Sequence, residues 1–158
     1  MQVKRYAELV SATGTELGYT DWVELPQEVV SAFADVTGDH QWIHVDADAA
    51  ARGPFGTTIV HGFLLLSLLP TFSEDWFAIE DSPMSINYGF DKIRFTSVVP
   101  AGSRVRGHGE IVALEDRGSA VHATIRVQVL AEGSDRPACV ADWIYRSLAP
   151  LATAEVPA

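Results

Sequence analysis

The segment IVHGFLLLSLLPTF, residues 59–72, is the most hydrophobic part of this 158-residue chain. His61 and Gly62 stand near its start, and Ser67 and Pro70 interrupt it. The run is too short and too broken for the roughly 20 apolar residues that a bilayer-spanning helix needs. We therefore predict a buried helix over residues 60–70 that is apolar nearly all round and ends at Pro70.

Four strand-like runs follow this segment, separated by short turns that contain Gly or Pro: SINYGFDKIRFT (85–96), SRVRGHGEIVALE (103–115), AVHATIRVQVLAE (120–132) and PACVADWIYRSLA (137–149). The third run alternates most clearly, with apolar residues at positions 121 to 129 facing one side and polar residues the other. Short turns favour an antiparallel meander, since parallel pairs need long crossovers. Helices followed by such a sheet predict the α+β class, with the helix at 60–70 packed on the sheet.

Helices are also predicted before residue 59. The run QEVVSAFADVTG predicts a helix with Pro26 in its first turn and Gly38 at its end. Its core-facing stripe is predicted to contain Val29, Val30, Phe33 and Val36. KRYAELVSA and residues 46–53 predict two shorter helices, the latter capped by Asp46 and ended by Gly53.

Composition places the chain among globular proteins, with 47% hydrophobic and 20% charged residues. We expect one domain over residues 1–150 and a flexible tail over residues 151–158. The net charge of −10 argues against a nucleic-acid partner but leaves room for a local basic patch. The single Cys139 excludes an internal disulfide and is expected to be buried; together with the lack of a signal peptide, it favours a cytoplasmic location.

Asp39 and His44 stand five positions apart, directly after Gly38. An aspartate and a histidine that converge on one water can act as base and acid. Taken alone, however, the two residues have an equally simple structural reading, in which Asp39 shapes a turn and His44 is a hydrogen-bonded core histidine. His40 and His44 have a spacing that metal ligands sometimes show, but Gly38 breaks the helix and no HExxH or Cys cluster accompanies them, so no metal is expected.

The stretch FADVTGDHQWIHVDADAA, residues 33–50, resembles the signature of the MaoC-like, (R)-specific enoyl-CoA hydratase family. The later runs IVHG and NYGFDKIRFTSVVPAGS are similar to the same family, especially to a single-domain branch from actinobacteria and nodulation protein N-like proteins. The resemblance covers residues 20–148 and departs from the family at Gln41 and Trp42, where Asn-Pro is usual. It implies the hot-dog fold, in which a curved antiparallel sheet wraps a long helix.

The resemblance also implies a reaction, the reversible syn hydration of a trans-2-enoyl thioester to the (R)-3-hydroxyacyl thioester. It assigns the water-activating base to Asp39, and orientation of the water and proton relay to His44. Gly62 is expected to offer its backbone N–H to the thioester oxyanion, because N–H groups at a helix start point at developing negative charge. No cofactor is expected beyond the CoA or phosphopantetheine of the substrate.

Substrate contacts are assigned more loosely, to His61, Phe63, Asn87, Tyr88, Gly89 and Arg94. His61 has an alternative reading, in which it only hydrogen-bonds a neighbouring loop. Asn87 and Tyr88 either form a bulge or border the acyl pocket. Arg94 is one of four basic residues that alternate along two runs expected to be neighbouring strands: Lys92, Arg94, Arg104 and Arg106. These side chains are expected to contact the CoA phosphates.

Two other functions remain open from the sequence. A hot-dog thioesterase would direct an activated water at the carbonyl carbon, and a specialised relative would dehydrate a carrier-bound substrate or lack activity. No Gly-x-Ser-x-Gly elbow, phosphate loop or dinucleotide fingerprint supports serine hydrolysis, ATP or NAD chemistry. One sheet over one helix leaves edge strands, so a homodimer is expected.

Overall fold

The computed structural model describes residues 3–151, so most of the predicted tail, residues 152–158, lies outside the described residues. In chain order the elements are α1 (Tyr6–Leu9), β1 (Thr15–Tyr19), β2 (Val23–Glu24), α2 (Gln27–Thr37), α3 (Trp42–Val45), α4 (Ala47–Ala51), α5 (Gly62–Ser67), α6 (Leu69–Trp76), β3 (Ser85–Phe95), β4 (Arg104–Asp116), β5 (Ala120–Ala131) and β6 (Pro137–Leu148). The α+β class is confirmed. None of the described helices is long and apolar enough to cross a membrane.

All the strands form one antiparallel sheet in the order β1-β4-β5-β6-β3, with β2 also paired to β4. The meander prediction is right for β4, β5 and β6 but wrong for β3, which pairs with β6 at the far end of the sheet. Residues 96–103 do not form a hairpin turn, because they pair with the segment before α5: the Val60 N–H bonds the Val99 carbonyl at 2.8 Å, and the Ala101 N–H bonds the Thr58 carbonyl at 2.9 Å. Sequence analysis also did not identify β1 and β2.

The apolar segment forms two helices instead of the single helix predicted over residues 60–70. Pro70 does not end a helix but lies in the first turn of α6, where its missing N–H costs no intrahelical bond. The segment is also less buried than expected, since Phe63 is 67% exposed while Leu64 and Leu65 lie in the core. Its exposed side therefore remains available for a ligand or a partner.

Helix α6 packs closely on β4 because two glycines of the strand leave room for aromatic rings. A Cβ at Gly107 would lie 2.8 Å from the Phe72 ring, and one at Gly109 would lie 3.0 Å from the Trp76 ring. Trp76 is fully buried and its indole N–H donates to the Gly18 carbonyl at 3.2 Å. This contact fixes the helical layer against the inner face of the sheet.

The short helices around the site largely follow the sequence prediction. Helix α2 ends at Gly38, whose φ of 77° is in the left-handed region, and the Asp46 carboxylate caps α4. The predicted core stripe of α2 is right for Val30, which is buried, and for Phe33, which packs partly buried against the core. It is wrong for Val29 and Val36, which are 39% and 87% exposed, and it omits the buried Ala34. In β5, the predicted alternation is confirmed.

Candidate active site

Three side chains from separate segments meet beside the end of α2. A carboxylate oxygen of Asp39, a ring nitrogen of His44 and a ring nitrogen of His61 all lie within 4.8 Å of one another. Asp39 is exposed, whereas both imidazoles are buried. The predicted acid–histidine pair is therefore assembled, with a second histidine that the sequence assigned only loosely.

His44 is oriented by a bond to the strand-like segment that leads into α5. Its Nδ1 lies 2.7 Å from the Ile59 carbonyl oxygen, and since a carbonyl only accepts, Nδ1 carries the hydrogen. The Ile59 N–H in turn bonds the Ile43 carbonyl at 2.9 Å. These contacts fix α3 and leave the Nε2 lone pair of His44 as the hydrogen-bond acceptor of the ring.

His61 contacts both predicted catalytic residues. Its Nε2 lies 3.0 Å from the Asp39 backbone carbonyl, to which it donates. Its ring stacks on that of His44, with centroids 3.7 Å apart and planes 23° apart, and it meets Phe33 of α2 at 5.1 Å. Its Nδ1 is buried without a hydrogen-bond partner among the described residues. One ring nitrogen is therefore occupied by the Asp39 carbonyl and the other is buried, so neither is accessible to a substrate.

The loop between the acid and the base is held by contacts other than the Asn-Pro of the family pattern. Trp42 packs on the backbone of Gly53, where an added Cβ would lie 2.8 Å from the indole ring. The Gln27 side chain donates to the His44 carbonyl at 2.8 Å and accepts from the Thr58 hydroxyl at 2.6 Å. These contacts set the position of α3 without a proline.

Gly62 is the first residue of α5, so its N–H has no intrahelical acceptor. An added Cβ would lie 2.9 Å from the Phe95 ring, which means that only glycine fits without a shift. Phe95 also meets Phe63 edge-on, with ring centroids 5.7 Å apart. Gly62 therefore follows His61 in the chain and faces an aromatic wall formed by Phe95 and Phe63.

A mostly apolar cleft of about 350 Å³ begins next to this wall, between the α5–α6 pair and strands β3 and β6. It brings together the predicted Phe63 and Asn87, and its lining is Phe63, Leu66, Ser67, Leu69, Pro70, Asn87, Phe90, Ile93 and Trp143. The bulge predicted near Asn87 is also present, between Asn87 and Gly89. Asn87 is thus both part of a bulge and part of a cleft wall.

The other predicted substrate contacts do not join this cleft. Tyr88 lies against His122, with ring centroids 4.5 Å apart, in a separate groove that Asp91 and Arg146 also line. Gly89 faces open space, and the Arg94 guanidinium donates to the carbonyl of the preceding residue, Ile93.

The expected patch of four bases is wrong as a single surface, because β3 and β4 are not neighbours in the sheet. On β4, Arg104 pairs with Glu132, and Arg106 lies 4.0 Å from the centre of the Tyr19 ring. Lys92 and Arg94 lie on β3, at the other end of the sheet.

Asp39, His44 and His61 also have the residue types of a metal site. The two imidazoles are stacked nearly parallel, so their in-plane lone pairs run side by side instead of converging. A tetrahedral ion would require one of the rings to turn and lose its carbonyl partner. The arrangement as it stands suits a water molecule between a carboxylate and an imidazole better than a metal ion.

Two residues that contact the site were not identified from the sequence. Gln27 lies in no motif, and Phe95 was given no role although it lies in the run NYGFDKIRFTSVVPAGS. Their partners His44 and Gly62 are 17 and 33 residues away in the chain. For a close contact such as that between Gly62 and Phe95, the sequence shows only that the residue is glycine. The partner ring cannot be deduced from it.

Comparison with known proteins agrees with this arrangement. A family model described as the MaoC like domain matches residues 8–133. The chain is 51% identical over 144 residues to the 3-hydroxyacyl-thioester dehydratase Z of Mycobacterium tuberculosis, covering 90% of this chain and 95% of that one. The chain belongs to the MaoC-like family. It is also 44% identical over 141 residues to Nodulation protein N of Rhizobium leguminosarum, covering 87% of this chain and 88% of that one.

Solved structures place the MaoC-like chain in the hot-dog fold. The R-hydratase PhaJ1 from Pseudomonas aeruginosa is 22% identical and superposes with a TM-score of 0.74, covering 100% of this chain and 96% of that one. The (R)-hydratase from A. caviae involved in PHA biosynthesis is 24% identical with a TM-score of 0.69, covering 86% and 96%. The predicted family and fold are confirmed, and the relatives' names are those of hydro-lyases, in agreement with the predicted enzyme class.

Proposed function

We propose that the protein is an (R)-specific enoyl-thioester hydratase that interconverts trans-2-enoyl-CoA and (R)-3-hydroxyacyl-CoA. The observation that carries the proposal is the meeting of Asp39 and His44, whose donor atoms lie within 4.8 Å while the Nδ1 of His44 is held by the Ile59 carbonyl. One exposed carboxylate and one oriented imidazole are what activation of a single water requires.

In the hydration direction, Asp39 takes a proton from water as the water oxygen bonds to C3 and the C2–C3 double bond opens. His44 orients that water through its Nε2 and relays the proton, which is delivered to C2 on the same face of the substrate. The Gly62 N–H holds the thioester oxygen while it carries negative charge. Dehydration is the same sequence reversed, so the reaction needs no cofactor.

The acyl chain is placed in the cleft lined by Phe63 and Asn87, which begins one residue beyond Gly62. Its apolar lining suits a hydrocarbon chain, and Phe63, which contributes to that lining, follows directly after Gly62 in the chain. The M. tuberculosis relative is named for dehydration of a 3-hydroxyacyl thioester, which favours the reverse direction, or a carrier-bound substrate, as the second candidate. We place the reaction in the cytoplasm, and we propose a homodimer.

The test is hydration of crotonyl-CoA and of longer enoyl-CoAs, with the chirality of the product determined. Asp39→Asn and His44→Gln should fold normally and react at least about 10³-fold more slowly, the scale of losing a general base. His108→Gln is the matched control, because His108 lies on β4 and pairs with Glu16 of β1. Near-normal rates in both site variants would contradict the proposal, and release of free thiol would indicate a thioesterase.

A further inference from the structure

We infer that His61 is a positioning residue that holds both catalytic groups, an inference that rests on the proposed function. From the sequence, His61 had two readings, a substrate contact or a hydrogen bond to a neighbouring loop, and the bond to the Asp39 carbonyl fits the second. In the structure His61 is 2% exposed, its Nε2 is used by the Asp39 carbonyl and its Nδ1 is buried. A side chain with no accessible polar atom cannot bind a thioester, so its role must act through its neighbours.

The first contact of His61 fixes the acid. Asp39 follows the left-handed Gly38, and its N–H is only 3.5 Å from the Thr37 hydroxyl, the outer limit of a hydrogen bond. The bond of 3.0 Å from His61 Nε2 to the Asp39 carbonyl is shorter and comes from a buried ring. It ties an otherwise exposed loop to the start of α5, and it therefore sets where the carboxylate can lie.

The second contact fixes the base. The His61 ring stacks on that of His44 with centroids 3.7 Å apart, and Phe33 meets His61 at a tilt of 54° with centroids 5.1 Å apart. His44 is thus held in its plane by the Ile59 carbonyl and against rotation by the stacked ring. His61 is the N-cap residue of α5, so the same residue that precedes the Gly62 N–H also holds the acid and the base.

Imidazole is the side chain that meets both demands at once. Phenylalanine would keep the stack and lose the donor, whereas glutamine would keep a donor and lose the aromatic plane. The His61→Phe and His61→Gln variants therefore separate the two contacts. Because misplacement of a catalytic group by about 1 Å can cost about 10²-fold in rate, each contact should be visible in kcat.

The experiment measures kcat and KM for hydration of crotonyl-CoA by the full chain. His61→Phe should lower kcat by about 10- to 100-fold with KM changed less than about twofold, and His61→Gln, which keeps a donor and loses the stack, should lower kcat by a smaller factor. His122→Phe is the matched control, because His122 is also a buried histidine but lies in the groove beside Tyr88. It should keep wild-type kcat at a comparable melting temperature.

Two results would overturn the inference. One is wild-type kcat in His61→Phe, and the other is an equal loss in the Phe and Gln variants that simply follows the fraction of folded protein. NMR of the ring nitrogens gives a readout independent of turnover, because the chain has five histidines that single variants can assign. Nε2 of His61 should carry the hydrogen at about pH 7.5, and the Asp39 amide signal should move in His61→Phe but little in His61→Gln.

Failure of this inference differs from failure of the proposed function. If the wild-type chain hydrates no enoyl thioester, the function fails while the NMR result still decides whether His61 holds the Asp39 loop. If the chain is active and both His61 variants are normal, the function stands and the positioning role is wrong.

Discussion

At the residue scale, Gly62 makes the site sensitive to a single methyl group. Its backbone is helical, so alanine is conformationally allowed, but the new Cβ would lie 2.9 Å from the Phe95 ring. We expect Gly62→Ala to displace the start of α5 and lower kcat by up to about 10²-fold, the scale of losing one oxyanion donor. Steady-state kinetics of the variant checks this.

A second substitution tests whether the ring is the cause. Combining Gly62→Ala with Phe95→Ala removes the clash and should restore part of the lost rate. Phe95→Ala alone serves as the control for loss of the aromatic wall. A double variant as slow as Gly62→Ala would show that the methyl group acts on the ligand directly.

Cys139 gives a residue-scale prediction of pH dependence. Burial raises the pKa of its thiol to about 11, against an ordinary value near 9.0. The thiolate is the reactive form, so at about pH 8 the native protein should react very slowly with Ellman's reagent, and unfolding in guanidinium should expose one thiol per chain. The labelling rate of native protein should rise as the pH approaches 11. Rapid labelling of the native protein at pH 8 would contradict the burial.

The meeting of Asp39 and His44 was predictable because the two residues are close in the sequence. Asp39 and His44 are five residues apart, and the end of α2 at Gly38 follows from glycine's access to positive φ. The stacking of His61 on His44 was not predictable, since it depends on how α5 approaches α3. Spacing along a chain gives residue types and local turns, but it does not give the distance between two rings.

At the element scale, the packing of α6 on β4 gives a stability prediction. Gly107→Ala would place a methyl group 2.8 Å from the Phe72 ring, in the fully packed core. We expect the free energy of unfolding to fall by about 1–3 kcal/mol, the usual cost of overpacking. Urea unfolding followed by fluorescence measures it.

Gly89→Ala is the matched comparison within the same sheet. No atom lies within 4 Å of its added methyl group, and its φ is not in the left-handed region. Its free energy of unfolding should stay within about 0.5 kcal/mol of the wild-type value. A loss as large as that of Gly107→Ala would mean that strand propensity outweighs the contact with α6.

The positions of helices and strands along the chain were predicted better than the buried face of each helix or the order of the strands in the sheet. The alternation of β5 was read correctly because one face meets the core and the other meets solvent. The stripe of α2 was partly misassigned because a helix with apolar residues on several sides can be rotated without changing its pattern. The position of β3 was misassigned because residues 96–103 are long enough to leave the sheet edge and pair with residues 58–60.

At the scale of the whole molecule, β3 is the exposed edge of the sheet. Most of its residues are exposed, including Ile86, Tyr88, Phe90 and Phe95. An apolar edge strand of this length promotes pairing with another chain. We therefore expect light scattering to give the mass of a homodimer assembled through β3.

Charge placed on this strand tests that interface. Ile86→Lys should shift the protein toward monomer, whereas Val36→Lys, on the exposed side of α2, should leave the assembly unchanged. Both replace one exposed apolar side chain with lysine. A wild-type monomer, or equal behaviour of the two variants, would argue against pairing through β3.

The place of β3 in the sheet also has a consequence for biosynthesis. Among the described strands its neighbour is β6, the last to leave the ribosome, although β3 is made before β4 and β5. An apolar strand must therefore wait, unpaired, until the C-terminal strand has been synthesised. Since Asn87 of β3 and Trp143 of β6 both line the apolar cleft, the cleft is complete only after β6 has paired, although Asp39, His44 and His61 are synthesised earlier.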